Sequence, residues 1–324
     1  MEKELEYSII IPVYNEEKVI KESYKRIKAV MDGISSEYEM IFVDDGSNDQ
    51  SKEILKKISN DDFKVKTLFL SRNFGHQAAI SAGLEYSSAK AIVFIDADLQ
   101  DPPEVIPEMI KKWRQGNEVV YGRRIARRGE GFFKKATAAV FYKFINAMSK
   151  NDFPEDVGDF RLIDRKVAEA LKQIKEKNRY LRGIISWLGF KQAEVAYERD
   201  ERFAGETKYS TAKMIKLSFD AITSFSYFPL KIATYLGFLV SGVSFIYLII
   251  VVYQRMFTDT TVTGWASLSA INLFFNGIVL IILGIFGEYI GRIYEEAKGR
   301  PLFIVDEKHG FADASIASRS KLKD

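Results

Sequence analysis

The sequence predicts an α/β domain on a mostly parallel sheet, continued by an amphipathic surface helix and two apolar helices long enough to span a bilayer. Three observations predict it. Short runs rich in isoleucine and valine alternate with helical stretches through the first part of the chain, the pattern of βαβ units. Paired acids stand where two of those runs end, and ligands of parallel sheets collect at the carboxyl ends of strands. Finally, the charged first two-thirds gives way to a strongly apolar stretch over residues 230–290.

Tyr7–Val13 (YSIIIPV) reads as a strand buried on both faces. Tyr14-Asn15-Glu16-Glu17 opens a helical stretch to about Asp32. Glu39–Asp44 is a second strand, and Asp44-Asp45-Gly46-Ser47-Asn48-Asp49 caps a helix over about Asp49–Ser59. Val65–Leu70 is a third strand, and the loop from Ser71 to Gln77 leads to a helix reaching Tyr86. Ala91–Ile95 is a fourth strand, Pro103–Gln115 a helix and Glu118–Tyr121 a fifth short strand.

With 324 residues the chain has room for one large domain or two modest ones. A net charge of +3 gives no reason to expect nucleic acid as a partner. The absence of cysteine excludes disulfides, thiolate nucleophiles and cysteine–metal sites, and two histidines make a His-rich zinc site a poor fit. The acidic start, Met1-Glu-Lys-Glu-Leu-Glu, is unlike a cleavable signal, so the first domain is expected in the cytoplasm. Neither G-x-G-x-x-G after the first strand nor a Walker A sequence occurs.

The run Ile92–Ile95 ends in Asp96-Ala97-Asp98-Leu99-Gln100-Asp101-Pro102-Pro103. In extended chain Asp96 and Asp98 point to one side, where they can share a hard cation with Gln100 as a neutral oxygen ligand. Such a set suits Mg²⁺ or Mn²⁺ carrying a diphosphate. The alternative is an acidic turn that caps the helix near Pro103. His76, alone in a glycine-containing loop, reads as structural.

Four motifs in order, Ile11-Pro-Val-Tyr-Asn-Glu16, Val43-Asp-Asp-Gly-Ser47, Asp96–Pro103 and Gly158-Asp-Phe-Arg161, resemble the inverting family-two glycosyltransferases. Within them the chain is most similar, over about residues 5–305, to bacterial polyprenyl-phosphate glycosyltransferases, relatives of dolichol-phosphate mannose synthase. The resemblance implies a GT-A-type catalytic domain over 1–205, and the residue pattern that follows it is read as an interface helix over 206–229, spans at about 232–253 and 268–289, and a cytoplasmic tail over 292–324. It also implies a nucleotide site lined by Pro12, Tyr14 and Glu16, with Asp44 or Asp45 binding the uracil or ribose. Asp96, Asp98 and Gln100 would hold Mg²⁺ or Mn²⁺ on the donor diphosphate.

Six cations lie between Arg123 and Lys135, directly after a strand end. A charge run is ordinarily a solvated face, but a dianionic leaving group and an anionic acceptor both call for such cations. By resemblance Arg123 and either Lys134 or Lys135 face phosphates, Arg161 joins this catalytic set, and Asp159 acts as base or orienter. The Arg202–Tyr209 segment matches a basic, glycine-containing stretch near the acceptor, which adds Arg202 and Lys208 to the binding set.

In Ser210–Phe228, Ile215, Phe219 and Ile222 fall at helical spacing with Lys213, Lys216 and Asp220 elsewhere, as in a helix lying on a bilayer. Ile232–Tyr253 is uncharged over 22 residues, a helix of about 33 Å. Leu268–Gly287 is a second such run, and Glu288 is placed to pair with Arg292 one turn on. Cations crowd the outer ends of both runs, which puts the catalytic domain and both termini on the cytoplasmic side of a bacterial inner membrane. Pro301–Asp306 reads as a last strand. The expected partners are a nucleotide-sugar donor, a polyprenyl phosphate acceptor, the lipid bilayer and, by resemblance, further copies of the chain in a homo-oligomer such as a tetramer. Two rivals are a processive polysaccharide synthase, which two spans and the lack of Q-x-x-R-W oppose, and a catalytically silent membrane scaffold, which the intact acids oppose.

Overall fold

The computed structural model describes residues 4–125, 157–177, 179–199, 228–257 and 264–311. The chain divides into two units, Met1–Thr211 with Pro301–Asp324, and Ala212–Arg300. In the first unit β1 (Tyr7–Val13), α1 (Ile20–Asp32), β2 (Tyr38–Asp44), α2 (Ser51–Asp61), β3 (Val65–Leu70), α3 (His76–Tyr86) and β4 (Ala91–Phe94) alternate as expected. A 3₁₀ turn (Pro103–Val105), α4 (Ile106–Arg114), β5 (Val119–Arg124), β6 (Val157–Asp164), α5 (Arg165–Gln173), α6 (Leu181–Trp187) and β7 (Gln192–Tyr197) follow.

The strands form one sheet in the order β7-β5-β6-β4-β1-β2-β3-β8, with β8 at Val305–His309. Its centre, β4-β1-β2-β3, is parallel, whereas β6 runs antiparallel between β4 and β5. Every residue of β1 and β2 is buried, so these strands read as continuous apolar runs. Tyr7, Ile9 and Ile11 join Met40 and Phe42 in a core completed by Ile27 and Met31 of α1, Leu55 of α2 and Met109 of α4. Burying one such isoleucine contributes roughly 1.5–3 kcal/mol. On the opposite face α3 lies so close to β1 that a Cβ on Gly83 would collide with Ile10. The first residue of α3 is His76.

Helix α1 starts at Ile20, later than the sequence suggests, because the backbone N–H groups just before it are used elsewhere. Asn15, Glu16 and Glu17 donate to Ser47 Oγ (2.9 Å), Ser51 Oγ (3.0 Å) and Asp49 Oδ2 (3.1 Å), lacing the loops after β1 and β2 together. The last strand also falls later than expected, at Val305–His309, and runs antiparallel to β3. Glu307 on it pairs with Lys52 Nζ (3.0 Å) and Lys56 Nζ (2.7 Å) of α2. Ser71 N donates to Ile304 O (3.0 Å).

The second unit holds α7 (Phe228–Phe257, 30 residues) and α8 (Trp265–Ala297, 33 residues). Among the described residues one stretch, Phe274–Ala297, is long and apolar enough to cross a membrane, and Ile232–Tyr247 is a shorter apolar helix. Arg292 Nη2 pairs with Glu288 Oε1 at 3.1 Å, as the helical spacing anticipates. The surface helix expected over 206–229 lies outside the described residues, except at its final two positions.

Candidate active site

Because β1 to β4 run parallel, their carboxyl ends open on one side and their loops meet there. Of the residues expected to line a nucleotide, Pro12 is buried within β1, while Tyr14 and Glu16 are half-buried in the loop beyond it. The two acids after β2 separate into different roles. Asp45 is 3% exposed, and its carboxylate accepts from the N–H groups of Phe74 (2.7 Å) and Gly75 (2.9 Å), clamping the loop that leads into α3. Gly46, the next residue, has φ 70°, and a Cβ there would come within 2.6 Å of the Arg72 backbone. Asp44 Oδ2 accepts from Ser47 N at 3.3 Å, whereas its buried Oδ1 has no hydrogen-bond partner among the described residues. Burial pushes both carboxyls up.

Strand β4 ends at Phe94, so Asp96 and Asp98 sit in a turn rather than in extended chain. The alternation of a strand nevertheless survives. Ala97 and Leu99 are buried at 3% and 1%, while Asp96, Asp98 and Gln100 keep to the accessible side. Asp98 Oδ1 accepts from Gln100 N at 3.1 Å, and Leu99 adopts φ 57° to make the turn. Burial and the nearby carboxylates of Asp159, Asp101 and Asp98 push Asp96 up to about 6, against the pull of His76.

Asp159, on β6, is brought to these acids by the antiparallel pairing of β6 with β4. It is 9% exposed and accepts two hydrogen bonds from one guanidinium, Arg182 Nε at 2.8 Å and Nη2 at 2.9 Å, with Gln77 Nε2 at 3.4 Å. Against the effect of burial, Arg182 and His76 hold its carboxyl well below the usual range. A carboxylate held this low is a weak proton acceptor at neutral pH.

His76 is the residue that sequence reasoning set aside. Its Nε2 lies 3.4 Å from Asp96 Oδ1 and 3.4 Å from Asp159 Oδ2, bridging the two acids. Burial disfavours its charge, but the two carboxylates prevail and push it up to about 9. Arg182 was missed altogether, because no motif points to α6.

Neighbouring arginines on β5 face opposite ways. Arg123 Nε pairs with the exposed Glu194 of β7 at 3.0 Å, and Arg124 takes the inward position, with Nη2 at 3.2 Å from Asp101 Oδ2. Arg161 is 4% exposed, its Nη2 donates to Gly158 O at 3.0 Å, and burial lowers it to about 10. Lys134, Lys135, Arg202 and Lys208 lie outside the described residues.

The donor chemistry of the acid turn fits a hard divalent cation. Asp96 and Asp98 offer carboxylate oxygens and Gln100 an amide oxygen, all on the accessible side of the turn. Among the described residues no group of three or more His, Asp or Glu side chains is arranged to hold a metal ion by itself.

Residues 8–172 match the family model "Glycosyl transferase family 2". "Uncharacterized glycosyltransferase YkcC" of Bacillus subtilis (strain 168) is 59% identical over 98% of this chain and 98% of its own. "SfII prophage-derived bactoprenol glucosyl transferase" of Shigella flexneri is 41% identical over 94% of this chain and 99% of its own. Among solved structures, glucosyl-3-phosphoglycerate synthase from Mycobacterium tuberculosis in complex with Mn²⁺, uridine-diphosphate and phosphoglyceric acid is 18% identical, with a TM-score of 0.49, over 68% of this chain and 76% of that one. The chain belongs to glycosyl transferase family 2 and is a glycosyltransferase.

Proposed function

We propose that the protein transfers one sugar from a UDP-sugar to a polyprenyl phosphate at the cytoplasmic face of a bacterial inner membrane, with inversion. The observation that carries the reading is the meeting of Asp96 and Asp159 across His76, at 3.4 Å from each, at the carboxyl end of β4. A relative named for bactoprenol glucosyl transfer, matched over nearly its whole length, supports the acceptor class.

In this reading Asp44, with its buried unpartnered Oδ1, accepts from a base or ribose donor, and Asp45 shapes the loop beside it. Asp96, Asp98 and Gln100 would hold Mg²⁺ or Mn²⁺, which when bound neutralises the leaving diphosphate. A phosphate oxygen of the acceptor, already ionised at neutral pH, attacks the anomeric carbon while the bond from that carbon to the diphosphate oxygen breaks. Asp159, kept ionised by Arg182, orients the reactants and takes up no proton. His76, protonated at neutral pH, offsets the two acids. Lys134, Lys135, Arg202 and Lys208 belong to the same reading as phosphate-binding cations. The 30- and 33-residue helices α7 and α8 serve as the two spans, which raises the local concentration of lipid acceptor. Homo-oligomeric assembly completes the proposal.

The test incubates the full chain in detergent with undecaprenyl phosphate, a panel of UDP- and GDP-sugars, and Mg²⁺ or Mn²⁺. One sugar per lipid, lost on chelation and in a folded Asp96→Ala variant, is expected. A ladder of products, or full activity in that variant, refutes the reading.

A further inference from the structure

Beyond Asp98 the acid turn sends another carboxylate inward. Asp101 is completely buried and gathers hydrogen-bond donors from β5 and β7 and an ion-pair partner from the segment just after β7. Tyr197 Oη donates to its Oδ1 at 2.5 Å, Arg124 Nη2 donates to its Oδ2 at 3.2 Å, and Arg199 Nε lies 3.4 Å from Oδ1. The same Arg124 guanidinium covers Gly158, where a Cβ would come within 2.5 Å of Nη2, and Gly158 directly precedes Asp159. Tyr197 is further wedged edge-on against Phe160, the residue after Asp159, with ring centroids 5.7 Å apart. Asp101 thus ties the acid turn both to the β5–β7 edge and to the strand that carries Asp159.

The backbone supplies an independent observation. Leu99 sits in the left-handed region at φ 57° while 1% exposed, a conformation unfavourable for a bulky side chain. Such a backbone persists only where its surroundings over-determine it. On one side it is held by the Asp98–Gln100 bond, and on the other by Asp101 with its three partners.

We propose that Asp101 is a positioning residue that locks the 96–100 turn against β5, β6 and β7, fixing Asp96 and Asp98 relative to Asp159. This rests on the reading that the two acids bind a cation–diphosphate pair. Asp101 itself touches no substrate in this scheme, because its carboxylate is fully buried.

The experiment uses the full chain in detergent with two variants, Asp101→Asn and Tyr197→Phe. UDP affinity with and without Mn²⁺, uridine affinity, melting temperature and the kcat and KM for the donor are measured. Asp101→Asn is expected to weaken Mn²⁺-dependent UDP binding by about tenfold or more, the usual effect of losing a group that orients metal ligands. Uridine affinity should stay within about twofold, because the β1 and β2 loops are untouched. Tyr197→Phe, which removes one donor and keeps the ring, should weaken Mn²⁺–UDP binding about threefold. Unchanged Mn²⁺–UDP affinity in folded Asp101→Asn, or an equal loss of uridine affinity, overturns the proposal. If Asp101→Asn does not fold, Tyr197→Phe decides by the same comparison. Undiminished Mn²⁺–UDP binding in Asp96→Ala would instead sink the underlying cation reading, so the two failures are distinct.

Discussion

Replacing Arg182 with glutamine removes the bidentate partner of Asp159 while keeping a similar length of side chain. Breaking a fully buried ion pair from one side costs about 3–5 kcal/mol. Here Arg182 is 31% exposed and His76 stays beside Asp159, so water and the imidazolium recover part of that, leaving about 1–3 kcal/mol. For a domain of this size that corresponds to a fall in Tm of roughly 2–12 °C. The pH dependence identifies the cause. Asp159 has a folded pKa below its ordinary 3.8, so its pairing stabilises the fold fully above that value and is lost as pH falls through the folded pKa. The difference in Tm between parent and Arg182→Gln should therefore be largest at neutral pH and shrink as pH falls below 3.8. Thermal melts of both proteins across that range provide the assay. A deficit of equal size at low and neutral pH, or none at neutral pH, refutes the assignment.

The two acids after β2 should respond differently. Asp44→Asn raises the KM for the donor with little change in Tm, whereas Asp45→Asn weakens the Phe74 and Gly75 clamp and destabilises by about 1–3 kcal/mol, read by steady-state kinetics and melts of both variants. Gly83→Ala drives a methyl into Ile10 and should destabilise by about 1–3 kcal/mol by overpacking, checked by thermal melt. Lys56, His309 and Lys52 depress Glu307 to about 2, so its grip on α2 is complete above its ordinary 4.5 and is lost as pH falls through about 2. Hydrogen exchange of the β8 amides, corrected for intrinsic rates, should accelerate over that window in the parent and be uniformly faster in Glu307→Gln.

The parallel centre of the sheet was legible because strands buried on both faces, such as Tyr7–Val13, write themselves as unbroken apolar runs. The acids at their ends were legible for the same reason, since a strand's end is a local signal. What decides between Asp44 and Asp45 is not local. The N–H groups that occupy Asp45 come from Phe74 and Gly75, about thirty residues later, so the pair looks equivalent in the sequence. His76 resembled a stray loop histidine because its place between Asp96 and Asp159 depends on α3 pressing onto β1 at Gly83, a packing contact. Arg123 and Arg124 were indistinguishable as neighbouring cations, and the pleat that turns only Arg124 inward becomes visible once β5 has partners on both sides.

The placement of β8 has a consequence for the helices that precede it. Strands β7 and β8 are the two outer edges of one sheet, and α7 and α8 lie between them in the chain. A single sheet occupies a single compartment. Any membrane crossings made by the chain between Tyr197 and Val305 must therefore come in an even number, zero included. A single crossing by Phe274–Ala297 would leave β8 on the wrong side of the membrane to complete the sheet. Closing the sheet with the segment that follows the helices thus sets the parity of the membrane topology.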